Sequence, residues 1–133
     1  MKKLLILLFA ILISFNSYGE TRSDYYSNGQ IKSELNYKDY KRDGKWTWWY
    51  ENGQISEEAT YKDDELDGKY TKWDVNGQKW FEANYNYGKK DGKTTYWYED
   101  GQMEYEGNYT DGREDGKWTW WYENGQIQSE INY

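Results

Sequence analysis

Carboxylates are the chemistry-bearing residues this 133-residue chain has in quantity, 24 Asp and Glu against 17 Lys and Arg. Histidine and cysteine are both absent. That removes the commonest general base, the commonest metal ligand, thiol nucleophiles, thiolate metal sites and disulfides. Acids alone can still hydrolyse a glycoside, with two carboxyls facing each other across a cleft, or hold a hard cation. Asp63-x-Glu65-x-Asp67-Gly68, with Asp74 eleven positions after Asp63, follows the opening of a calcium-binding EF-hand loop. Its flanks read as strands, its twelfth position is Asp instead of Glu, and the equivalent column elsewhere holds Lys41, Lys89 and Arg113. Glu34, Glu58, Glu82, Glu106 and Glu130 are evenly spaced, and so are Lys45, Lys69, Lys93 and Lys117. An acid that recurs in every copy of a unit has no unique cleft to act in. The sequence therefore points away from an enzyme, with no catalytic residues, no metal site and no cofactor expected. The Glu column reads as a solvated strand face paired with the Lys column, and otherwise as an acidic ridge for a basic partner.

What positions these columns is a repeat. Asn-Gly-Gln stands at Asn28, Asn52, Asn76 and Asn124 and Asp-Gly-Gln at Asp100, while Asp-Gly-Lys stands at Asp43, Asp67, Asp91 and Asp115, every series at a spacing of 24. DGKWTWWYENGQI occurs twice letter for letter, from Asp43 and from Asp115. The units run 25–48, 49–72, 73–96 and 97–120, with a half unit at 121–133. Asn-Gly between aromatic and β-branched runs signals a hairpin turn, so Gly29, Gly53, Gly77, Gly101 and Gly125 are read as turn residues. Gly44, Gly68, Gly92 and Gly116 are read in the same way, after longer loops such as 62–67. Segments such as Trp46–Tyr50 and the alternating Ile55–Tyr61 read as strands. Two strands per unit give an all-β fold: an elongated single-sheet antiparallel meander of nine strands in which each hairpin contacts mainly its neighbours. A two-residue Asn52-Gly53 turn would set Tyr50 opposite Ile55, Trp48 opposite Glu57 and Trp46 opposite Ala59, with Thr47 and Trp49 on the other face. A three-residue loop with a bulge would regroup them. Gly107, in a strand column, is expected to tolerate Ala.

This unit, E-x-x-Y followed by D-G-K and then N-G-Q, resembles the MORN repeat in the bacterial variant found in proteins labelled YwqK-like antitoxins. The resemblance covers Tyr25–Tyr133. It implies a repeat that serves as an interaction module, and its label implies neutralisation of a toxin.

The first nineteen residues read separately. Lys2 and Lys3, the apolar Leu4–Phe15 and Ser17-Tyr18-Gly19 have the order of a signal peptide, a helix cleaved after Gly19, and the apolar run is shorter than the ~20 residues of a membrane span. Residues 1–19 are thus the signal and 20–133 the repeat domain, exported to the periplasm, cell envelope or medium. The mature chain keeps 24 acids against 15 bases, which disfavours nucleic acid and anionic membrane as partners. Aromatic residues fill 25 of its 114 positions, more than one thin core can hide. The column Trp49, Trp73, Trp97 and Trp121 forms a ladder of docking size. The most irregular unit, the third, carries Asp74, Val75, Lys79, Trp80 and Phe81, of which Trp80 and Phe81 join the binding candidates. Trp and Tyr offer rigid contact area at low entropy cost. The expected partner is a protein, with an envelope glycan as the alternative.

Overall fold

A computed structural model describes residues 19–133. The expected signal helix lies outside the described residues apart from Gly19, which begins the first strand. Ten strands follow: β1 Gly19–Tyr25, β2 Ile31–Lys38, β3 Lys41–Trp49, β4 Ile55–Lys62, β5 Glu65–Trp73, β6 Lys79–Asn86, β7 Lys89–Trp97, β8 Met103–Thr110, β9 Arg113–Trp121 and β10 Ile127–Asn132. They form one antiparallel sheet in strict chain order, β1 to β10. The meander is as expected but has a tenth strand. Gly19–Tyr25 lacks the aromatic run of its counterparts, yet pairs with β2 from Gly19↔Lys38 to Tyr25↔Ile31.

The two kinds of turn alternate along the sheet. After odd strands, the Gly53 N–H donates to the Tyr50 carbonyl (2.9 Å) and the Tyr50 N–H to the Gln54 carbonyl (2.8 Å), closing a three-residue loop. Only the glycine takes positive φ there, at 86° for Gly53. The asparagine instead uses its side chain: Asn52 Oδ1 accepts from the Gln54 N–H (3.0 Å), and Asn52 Nδ2 donates to the Val75 carbonyl of the next turn (2.8 Å).

Register follows from this loop. Trp46↔Ala59, Thr47↔Glu58 and Trp48↔Glu57 pair as expected, but Trp49, not Tyr50, meets Ile55, and Ser56 is left as a bulge. After even strands the turn is not at the Asp-Gly-Lys column of Gly44, Gly68, Gly92 and Gly116. It lies at Asp39-Tyr40, Asp63-Asp64, Tyr87-Gly88 and Asp111-Gly112, where both residues take positive φ, as a two-residue primed turn requires. Gly44, Gly68, Gly92 and Gly116 also have positive φ, from 70° to 115°, but stand inside strands. There Asn36 opposes the run between Arg42 and Trp46. These glycines make bulges, and the expected loop at 62–67 does not form.

The sheet's two faces differ in chemistry. One carries the unbroken row Glu34, Thr47, Glu58, Thr71, Glu82, Thr95, Glu106, Thr119 and Glu130, each paired with the next. The threonines are buried, and glutamates pair with the Lys column: Lys45–Glu58, Lys69–Glu82 (3.3 Å), Lys93–Glu106 (2.7 Å) and Lys117–Glu130 (2.5 Å). The opposite face carries Leu35, Trp46, Ala59, Tyr70, Ala83, Thr94 and Gly107 in register, then Trp118. Trp46, Tyr70 and Trp118 are separated by the small residues Ala59 and then Ala83, Thr94 and Gly107, so each ring has a neighbour that leaves it room. Trp46, Ala59, Phe81, Ala83 and Trp118 are the buried hydrophobic residues. Gly107 is essential to that packing, because a Cβ there would stand 2.1 Å from Trp118 Cδ2. The expected tolerance to Ala is overturned.

Candidate functional site

One bulge adds a tryptophan to the aromatic face. In β6, Lys72 pairs with Phe81 and Trp73 with Lys79, leaving Trp80 as the extra residue. A bulge turns two successive side chains to one side. Trp80 therefore joins Phe81 (6.0 Å between centroids) and Tyr96 (6.4 Å) on the aromatic face. The same column elsewhere holds Lys32, Ser56, Glu104 and Gln128. Trp80 is 37 % exposed and Phe81 only 4 %. Strict alternation, the only signal in the sequence, would have separated them.

From Tyr70 the rings run on in contact: Phe81 to Tyr96 at 4.8 Å, Tyr96 to Tyr105 at 4.3 Å, Tyr105 to Trp120 at 6.4 Å and Trp118 to Trp120 at 5.8 Å. Cations lie over these rings. Arg42 covers Tyr61 (4.4 Å), Lys72 covers Tyr70 (5.2 Å) and Trp80 (5.6 Å), and Lys90 covers Tyr109 (4.8 Å) and Phe81 (5.6 Å). Tyr70 Oη donates to Glu57 Oε1 (2.6 Å). Burial, reinforced by that bond, pushes the Tyr70 hydroxyl far above its usual pKa, and burial does the same for Tyr105. Both phenols are therefore neutral. Burial also draws the Lys90 ammonium below its usual pKa. An open depression of about 220 Å³ is lined by Tyr70, Lys72, Trp80, Phe81, Tyr85, Lys90 and Tyr96.

The Trp49, Trp73, Trp97 and Trp121 column lies on the opposite, Thr/Glu face, beside the three-residue loops, and each member is half-buried. These tryptophans pair with Ile55, Lys79, Met103 and Ile127. Their carbonyls are used in tying repeats together: Tyr26 Oη donates to the Trp49 carbonyl (2.7 Å), Tyr50 Oη to that of Trp73 (2.8 Å) and Tyr98 Oη to that of Trp121 (2.7 Å). In the third unit Asp74 replaces the tyrosine, and its Oδ1 accepts from the N–H groups of Asn76 and Gln78 instead. The six binding candidates are therefore not one surface. Four line a turn edge on one face, Trp80 opens onto the other, and Phe81 packs beneath it.

A hollow of about 470 Å³ lies at that turn edge between Trp97, Tyr98, Glu99, Asp100, Glu104 and Glu123. The EF-hand-like segment is divided between a turn and a strand. Asp63 and Asp64 form the primed turn, Asp64 Oδ1 accepts from the Arg42 N–H (2.9 Å), and Asp67 lies within β5. Among the described residues no group of three or more acids is placed to hold a metal ion.

An open sheet of repeated hairpins, tied unit to unit at both edges and aromatic on one face, defines a repeat scaffold. Comparison with protein-family models identifies its unit as the MORN repeat variant, matched over residues 21–39, 42–63, 90–111 and 114–133. These segments make up more than half of the chain, and the protein belongs to that family. Between the second and third matched segments lies the stretch with Asp74, Trp80 and Phe81. No curated protein matches the chain.

Proposed function

We propose that this protein is an exported, non-enzymatic scaffold that binds another protein through the aromatic face of its sheet, centred on Trp80. The observation that carries the reading is the bulge column: one position in five is aromatic, and there a tryptophan stands partly exposed over a continuous cluster of rings. Repeats with identical packing need no such exception, whereas a recognition surface needs a place where one unit differs. A glycan partner is less favoured by the ring geometry. Tyr96 and Tyr105 are stacked at 23°, so they cover each other's faces instead of presenting them to a sugar.

Export is supported by the order of charge, apolar run and small residues in the first nineteen positions. Cleavage after Gly19 would take only the first residue of β1. The test is capture from envelope protein extract, compared with capture on purified wall material, using the wild-type protein and Trp80→Ala. The expected result is a protein retained by the wild type and lost by a Trp80→Ala variant with an unchanged circular dichroism spectrum. Retention on wall glycan alone, or capture indifferent to Trp80→Ala, would overturn the reading.

A further inference from the structure

We infer that the partner segment bound at this face carries an acidic side chain, which docks on Lys90 in the depression beside Trp80; the inference rests on the protein-binding reading above.

Three observations converge on this site. The first is a step in the aromatic row. Trp46 stands between the rings of Tyr37 and Tyr61 (5.1 Å to each), and Trp118 between those of Tyr109 (5.1 Å) and Tyr133 (6.2 Å). Between Tyr85 and Tyr109 the same column holds Thr94, which is fully buried and whose hydroxyl has no hydrogen-bond partner. No ring fills that place.

The second observation is the charge beside it. The Lys90 ammonium lies over Phe81 and Tyr109, and among the described residues it forms no salt bridge. The neighbouring cations differ: Lys72 has Glu57 at 3.8 Å, Arg42 has Asp64 at 3.5 Å and Arg22 has Glu20 at 2.8 Å. Lys90 is thus a half-buried cation of this face with no carboxylate in salt-bridge contact; Glu114 acts on it only from farther off and does not offset its burial.

The third is the orientation of the rings. Trp80, Phe81 and Tyr96 meet one another at 42° to 60°, forming a tilted recess and not a flat platform. The recess takes an apolar side chain, and the Lys90 ammonium beside it, already over the faces of Phe81 and Tyr109, takes a carboxylate. A carboxylate next to an apolar side chain fits both. A short acidic element is compatible with the chain's overall negative charge, since that repulsion is screened within about 8 Å at physiological salt.

The test uses a random linear-peptide phage library selected on the purified protein. Peptides that emerge are then synthesised and titrated by tryptophan fluorescence against wild type, Lys90→Met and Trp80→Ala. Lys90→Met keeps an unbranched apolar stem over the rings and removes only the charge. Recurrent Asp or Glu beside an apolar residue is expected, with affinity falling about tenfold or more for Lys90→Met and for the Glu→Gln peptide. Peptides lost with Trp80→Ala but indifferent to Lys90→Met would overturn the acidic contact and leave the aromatic reading intact. If no peptide is selected, or if an oligogalacturonate binds in a Lys90-dependent way where peptides do not, both readings fail.

Discussion

Gly107 shows how one residue carries two meanings. In the sequence it is a glycine in a strand column, where added side-chain bulk normally helps. In the fold the Trp118 indole occupies the space of its missing side chain. Gly107→Ala should cost about 1–3 kcal/mol as an overpacked site, read as a lower denaturant midpoint with unchanged slope. Tyr40 is the converse. It takes φ 64° with no help from glycine and is 95 % exposed, so Tyr40→Gly should raise stability by about 1 kcal/mol. An unchanged or lower melting temperature would show that Tyr40 packs against something after all. Glu82 provides a pH dependence. Partial burial works to raise its pKa, but Lys79 and Lys69 prevail and hold it below the usual 4.5. Because the folded pKa is the lower one, the stabilisation is present above pH 4.5 and disappears as pH falls through the folded value. The stability gap between wild type and Glu82→Gln should therefore close on acidification below that point. A gap that widens there would contradict the pairing.

At the scale of the strand and turn, the loop tyrosines Tyr26, Tyr50 and Tyr98 reach forward to the next unit. Tyr50→Phe removes the hydroxyl bonded to the Trp73 carbonyl and should cost about 1 kcal/mol. Tyr122, its counterpart in the last unit, is half exposed, and Tyr122→Phe should be close to neutral. Equal losses in thermal melts would mean that the forward hydrogen bond contributes nothing. This scale is also where sequence reasoning divides. Asn-Gly announced its hairpins because only glycine enters positive φ cheaply, and the 24-residue spacing made the meander legible. Two of the primed turns, Asp39-Tyr40 and Asp63-Asp64, stayed hidden because they contain no glycine, and in the other two Gly88 and Gly112 stand outside the repeated glycine columns. The Asp-Gly pairs drew attention to a position that is a bulge. Ser56 and Trp80 carry no mark of being bulged, since an unpaired strand residue can be of any type. For that reason the face of Trp80, and with it the candidate site, could not be read in advance.

Among the described residues each strand pairs only with those next to it in chain order, and no second layer covers either face. Stability in such an array is a sum of unit and junction contributions. Opening should then start at the ends, where β1 and β10 are exposed along their full length, and amide exchange should slow toward β5 and β6. Uniform protection from β1 to β10 would instead indicate a single cooperative block. The ties between units have a property of their own. Tyr50 reaches Trp73, and the Asp64 N–H reaches back to the Arg42 carbonyl (3.0 Å), so each depends on the length of a unit and not on where it stands. The two identical stretches beginning at Asp43 and Asp115 lie three units apart. A crossover between their coding sequences would remove or insert six strands at once and leave each new junction made of residues that already fit. Chain length is then a heritable variable with discrete steps, and the reach of the aromatic face can be reset by recombination without a single new contact having to evolve.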